Sequence, residues 1–230
     1  MLKVRLKYGH NQKGKHLSHL ETMRALERAF RRIDFPYVLT SGFSPHLKMS
    51  FGPPLPVGYE SNSEIVDFFI DKKIDLNEFL KSCWEKFPEA LFPVEVRYIY
   101  KKTPSLMSVA ESAGYLVDVS ATPEFMDRDI REKISNFQEG YKLPYKRRDK
   151  ELLLEFNKDV FVLKSLDSCN SHLIFEFMCS IKGNRNIRPE VFFKYFFLSY
   201  FPKTCIKIVN IKRVGIFFRL GYMRKGLMEL

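Results

Sequence analysis

Two groups of residues near the start of the chain have the types and spacing to do chemistry. Arg24, Arg28, Arg31 and Arg32 recur at helical intervals with no lysine among them. Guanidinium forks match phosphate oxygens bidentately, so such a stripe suits a phosphate clamp. It also reads as a solvated helix face, partly neutralised by Glu21 and Glu27 at helical spacing. The second group is His19 with Ser41, Gly42 and His46, the last three in the turn Ser41-Gly42-Phe43-Ser44-Pro45-His46. A histidine at neutral pH can donate to a phosphate or move a proton. Gly42 permits close backbone approach and Pro45 stiffens the turn. These spacings lead us to expect His19, Ser41 and His46 to converge on one anionic ligand. The alternative for His19 is a core or capping histidine. Lys48 extends the basic set, and Arg147 and Arg148 in a second basic loop, Lys142 to Lys150, offer a further phosphate contact.

Catalysis has weaker support. His19 or His46 could serve as the general base of metal-free RNA cleavage, but no nucleophile motif accompanies them. The chain contains no G-x-x-x-x-G-K-[ST], no G-x-G-x-x-G, no H-E-x-x-H and no G-x-S-x-G. Cys83, Cys169, Cys179 and Cys205 form no C-x-x-C pair and no zinc-finger spacing with histidine. They read as free structural thiols. Neither a metal site nor a cofactor is expected, and the reading is of a binding protein.

Elements must position those residues. Ser18-His19-Leu20-Glu21 is a capping box, and it opens a helix from His19 to about Ile33. Met23, Leu26, Phe30 and Ile33 share its apolar face, and the arginines take the other. Around it the patterning gives strands at Lys3 to Tyr8, Lys48 to Phe51, Glu64 to Asp71 and Val94 to Lys101, with a second helix from Leu76. Strand, helix, strand, strand, helix, strand is the order of a ferredoxin-like unit. The second half repeats it. Gly114 to Ser120 is a strand, Thr122-Pro123 opens a helix, and Lys150 to Phe156 with Val160 to Leu166 read as a hairpin. His172 to Ile181 is the next strand, Pro189 opens a Phe-rich helix, and extended segments finish the chain. The expected fold is α+β: two tandem ferredoxin-like modules with antiparallel sheets, spanning 1–104 and 112–230. The Phe192 to Tyr200 aromatics read as core. Tyr98, Tyr100 and Tyr115, on strands, are candidates for base stacking.

The 230 residues carry a net charge of +11, and 45% are hydrophobic, enough for a packed core. The charge is concentrated. Residues 1–48 hold ten Lys or Arg against three acids and four of the five histidines, whereas residues 49–120 are net acidic. A clustered positive charge points to RNA or another polyanion. No apolar run approaches the ~20 residues of a membrane helix. The start of the chain alternates instead of forming a signal-peptide core, so no membrane partner and a cytoplasmic location are expected.

The N-terminal motifs add a resemblance. Ser18-His19-Leu20-Glu21-x-x-Arg24, Glu27-Arg28-Ala29-x-Arg31-Arg32, Ser41 to His46, and Pro54-Leu55-Pro56-x-Gly58 followed by Glu64 resemble the radical-SAM-associated domain of unknown function. That bacterial domain occurs alone or fused behind a radical-SAM protein. The likeness is close over about residues 1–70 and looser beyond, through Arg147-Arg148, Arg188-Pro189 and Lys212-Arg213. Lacking C-x-x-x-C-x-x-C, this chain would be the stand-alone form. Some members are encoded near an RNase E/G-type ribonuclease, which implies RNA metabolism. Two readings follow: an RNA-binding or RNA-processing accessory protein, or a partner module of a separately encoded radical-SAM enzyme.

Overall fold

A computed structural model describes residues 1–121, 127–147, 150–169, 172–202 and 206–230. In chain order the elements are β1 (Leu2–His10), α1 (His19–Arg31), β2 (Met49–Phe51), β3 (Glu60–Ile70), α2 (Leu76–Lys86), β4 (Leu91–Ile99) and α3 (Leu106–Val109). There follow β5 (Ser112–Ala121), α4 (Asp127–Gln138), β6 (Leu143–Arg147), β7 (Lys150–Leu154), β8 (Val160–Cys169), β9 (His172–Ser180), α5 (Pro189–Tyr200), β10 (Ile206–Leu220) and β11 (Met223–Gly226). The fold is mixed α+β with antiparallel strand pairing. No helix among the described residues is long and apolar enough to cross a membrane.

The chain forms two compact units, Met1–Ala110 with Gly215–Leu230, and Glu111–Val214. The sequence places all of 112–230 in one module, whereas the residues from Gly215 onward lie in the first unit. A buried charge explains what holds them there. Arg5, on β1, is fully buried. It grips Asp67 of β3 through Nε at 2.7 Å and Nη2 at 2.9 Å, and donates its remaining arm to the Leu227 carbonyl. Leu227 is itself buried.

In the first unit the strands run β4-β1-β3 with β2 on the far edge of β3, all antiparallel. Side chains alternate along each strand, so Val4, Leu6 and Tyr8 share one face with Val66, Phe68 and Ile70. Against that face pack Leu26 and Phe30 of α1 and Phe79 and Cys83 of α2. The α1 capping box is present: Glu21 N–H donates to the Ser18 hydroxyl, and the Glu21 carboxylate accepts from Ser18 N–H at 2.8 Å.

In the second unit β8 pairs β9 and β9 pairs β5, both antiparallel. The residues of β10 up to Val214 belong here, and β10 neighbours β5. The hairpin expected between 150–156 and 160–166 does not form. Instead β7 pairs β6, seating Leu143 opposite Leu154, both buried. In the basic segment Lys142 to Lys150, read as a loop, residues 143–147 and Lys150 are instead strand. Val160 onward pairs with β9, burying Val160 and Leu163. Phe192, Phe193, Phe196 and Phe197 are buried, as core aromatics should be. The Cys83 and Cys179 thiols are buried, and burial pushes both up, far from the thiolate form. The Cys169 side chain and Cys205 lie outside the described residues.

Candidate phosphate-binding face and a polar cleft

The basic residues of α1 divide into two pairs with different duties. Arg31 donates to the Glu27 carboxylate through Nη2 at 2.8 Å and also to the Pro45 carbonyl at 3.2 Å. Arg32 donates to the Lys86 carbonyl at 2.7 Å, satisfying an acceptor in the last turn of α2. Both are therefore engaged in structure. Arg24 and Arg28 are exposed and make no hydrogen bond or ion pair among the described residues. They stand four residues apart on one helix face. Glu27, next to Arg28 in sequence, is bonded to Arg31, and Glu21, three residues before Arg24, is held in the capping box and feels Arg24 only as a nearby charge. The Ser18 hydroxyl and amide hold the Glu21 carboxyl below the usual range.

Glu27 organises the turn that follows the helix. Besides Arg31, it accepts from the buried Leu47 N–H at 3.3 Å and from His46 Nδ1 at 3.3 Å. Burial would raise its pKa, but the bonds from Arg31, Leu47 and His46 together hold it low. The turn is also closed on itself. Thr40 N–H donates to the His46 carbonyl at 2.8 Å, and His46 N–H to the Thr40 hydroxyl at 3.1 Å. Gly42 sits at φ +129°, where a Cβ would meet open space. Glycine suits that positive φ. Ser41, Gly42 and Phe43 face solvent. Lys48 lies off the turn, with its ammonium 5.1 Å from the Phe69 ring centre.

His19 is elsewhere. It is two helical turns before Glu27, about 12 Å along the axis, and lines a cleft with Tyr8, His10, Thr22, Phe51, Pro54 and Glu64. None of Ser41, Gly42 or His46 lines that cleft. The structure thus separates the residues expected to converge, because the helix puts His19 two turns from Glu27, the residue that holds the turn. In the cleft the His19 ring meets Phe51 edge-on at 5.6 Å. Partial burial lowers its pKa while the Glu64 charge pulls the other way, so the ring is neutral at pH 7. Glu64 is buried and accepts from the Ser61 hydroxyl at 2.6 Å. His10 is buried and donates from Nδ1 to the Gly14 carbonyl at 3.0 Å. Gly14 is fixed by space: a Cβ there would fall 2.1 Å from the Ala90 oxygen. The volume that a water centre can reach is about 10 Å³, room for about one water. A neutral imidazole and a buried carboxylate can hold that water.

Sequence reasoning missed Glu64 and His10 as cleft residues. The signal for Glu64 was a carboxylate directly before the apolar run Ile65-Val66 of a strand, a placement that requires a partner when buried. Among the stacking candidates, Tyr115 is buried and the Tyr98 hydroxyl is bonded to Ile74, which leaves Tyr100 exposed beside Lys73. Only the backbone of Arg147 is described, at the end of β6, and Arg148 lies outside the described residues. No group of three metal-ligating side chains occurs among the described residues.

The model of one protein family matches residues 3–189, and its description reads "Uncharacterized protein conserved in bacteria (DUF2344)". The chain belongs to this family. The match takes in the α1 arginines, the turn and the cleft of this DUF2344 member, and reaches well beyond the first 70 residues. No curated protein matches it in sequence. Among solved structures it is similar to a chain of a Cbf5-Nop10-Gar1 complex, with TM-score 0.54 and 8% identity, over 93% of this chain and 48% of that one. A chain of the archaeal box H/ACA sRNP Nop10-Cbf5 complex gives TM-score 0.50 and 8% identity, over 91% and 46%. At that identity the likeness is one of fold. The chain spans about half the length of the chains it matches.

Proposed function

We propose that this DUF2344 protein is a non-catalytic RNA-binding or RNA-processing accessory protein that holds phosphates on α1. The observation that carries the reading is the division of the arginines: Arg24 and Arg28 are exposed and uncommitted while Arg31 and Arg32 build the scaffold beside them. His46, bonded to Glu27 of the same helix, with Ser41 and Gly42 of its turn, and Lys48, Arg147 and Arg148 are candidates for further contacts. His19 takes no direct part and belongs to the cleft. The fold likeness to a chain of the archaeal box H/ACA sRNP Nop10-Cbf5 complex is in keeping with RNA as the polyanion.

We also read each unit as a ferredoxin-like module. The orders β4-β1-β3-β2 and β10-β5-β9-β8 support this, since both place the first and third strands of a βαββαβ unit at the centre. RNA affinity, measured by fluorescence anisotropy for wild type and Arg24→Ala/Arg28→Ala, tests the function. Loss in the double variant supports it. Equal affinities, or no binding by either protein, remove it.

A second reading, as a partner of a separately encoded radical-SAM enzyme, follows from the motif resemblance. The exposed Leu220, Tyr222 and Met223 at the β10–β11 turn favour it, being apolar surface of the kind a protein partner covers. Copurification of an iron–sulfur enzyme without RNA from the native host decides for it.

A further inference from the structure

We infer that the turn after α1 presents Phe43 as a stacking platform for an unpaired base, so that the site takes single-stranded RNA in preference to duplex. The inference rests on the RNA reading above and names its substrate class. Phe43 has a relative exposure of 109%, so its ring is wholly in solvent. A single exposed apolar residue is ordinary; the support beneath this one is not. The turn that carries it is braced at its base by the two Thr40–His46 bonds. Glu27 holds it through Leu47 N–H and His46, and Arg31 bonds the Pro45 carbonyl. Gly42 at φ +129° and the fixed φ of Pro45 set the turn on either side of Phe43.

Bracing of that kind positions a ring without burying it. A phenyl ring on a fixed backbone has few rotamers to lose when a base lies on it. Arg28 is one residue from Glu27, the anchor of the turn, and Arg24 is one helical turn before it. Helix α1 therefore carries both the two exposed guanidinium groups and Glu27, the residue that holds the turn of Phe43. That combination of cations tracking a backbone beside a ring is how single strands are bound without sequence preference. In a duplex the bases are already stacked on one another and cannot reach the ring.

The test uses the full chain with one RNA sequence, presented single-stranded or annealed to its complement. The variants are Phe43→Ala, Phe43→Trp and Arg24→Ala/Arg28→Ala, each checked for wild-type circular dichroism. Base–aromatic stacking predicts that F43A loses about 5- to 150-fold in affinity for the single strand and leaves duplex affinity unchanged. F43W keeps the affinity, and its added indole is quenched by single-stranded RNA. The arginine double variant weakens both forms. If the arginines matter and F43A binds as wild type does, the inference fails and the RNA reading stands. Absence of RNA binding by the wild type overturns both. Unchanged RNA affinity together with F43A-sensitive capture of a protein assigns the ring to a protein partner and overturns the inference.

Discussion

Glu27 is the residue whose removal should do most to the turn while leaving the helix itself intact. In Glu27→Ala the contact with the exposed His46 goes, and two weightier interactions are lost with it. The first is the pair with Arg31, whose side chain is 39% exposed; exposed pairs contribute only ~0–1 kcal/mol. The second is the acceptor for Leu47 N–H, an amide belonging to a buried residue. Leaving such a group unsatisfied costs about 1–3 kcal/mol. Alanine returns a few tenths through helix propensity, so the net loss is about 2 kcal/mol. For a chain of this length that lowers the melting temperature by about 4–8 °C. Glu27→Gln should lose less, because its amide oxygen still accepts from Leu47. The two variants also separate by pH. The folded-state pKa of Glu27 is depressed, so its contribution is present above about 4.5 and fades as pH falls through the lower folded value. The gap between wild type and E27A should close in acid. Thermal melts of the three proteins from neutral to acid pH are the assay. A melting temperature unchanged in E27A, or E27Q as unstable as E27A at neutral pH, would refute this account of the turn.

Further outcomes follow from the cleft and the sheet. The His19 pKa is lowered in the fold, so its unfolded form takes up protons first: stability should be full above about 6.5 and decline as pH falls below it. His19→Gln should flatten that slope in a pH series of denaturation midpoints; a slope unchanged in the variant counts against a half-buried neutral ring. Gly14→Ala forces a Cβ toward the Ala90 carbonyl. It should destabilise by about 1–3 kcal/mol and weaken the His10 bond, read as a shifted histidine NMR signal. Arg5→Met leaves the buried Asp67 carboxylate with only the long Lys3 pair at 3.9 Å and should cost about 3–5 kcal/mol, whereas Arg5→Met/Asp67→Leu should recover most of it. If the double variant is as unstable as the single, the buried pair is not the reason for the loss.

Local signals made much of this structure legible. The capping box and the apolar face of α1 each act through neighbours in the chain, and each appears where the pattern puts it. Long-range pairing was less accessible. The stretch 150–156 has the same alternation whether it pairs with β6 or β8, and only the seating of Leu143 against Leu154 decides. The return of Gly215–Leu230 to the first unit depends on Arg5, which sits in an alternating basic strand and reads as solvent-facing. In the site, composition singled out the arginines but not their duties. Arg31 and Arg32 differ from Arg24 and Arg28 only in what lies across from them, namely Glu27 with the turn and the end of α2. His19 and His46 fall within 27 residues of each other, yet the rigid helix between them keeps them apart.

The salt dependence of RNA binding bears most directly on the claim that two arginines of α1 hold phosphates. For single strands each phosphate contact adds about 0.7 to the magnitude of the slope of log affinity against log salt. Removing Arg24 and Arg28 together should therefore reduce it by about 1.4. Arg32→Ala, which breaks only the cap on α2, should lower stability and leave the slope as it is. A slope that is the same in wild type and Arg24→Ala/Arg28→Ala would contradict the account, as would a fall in slope in Arg32→Ala.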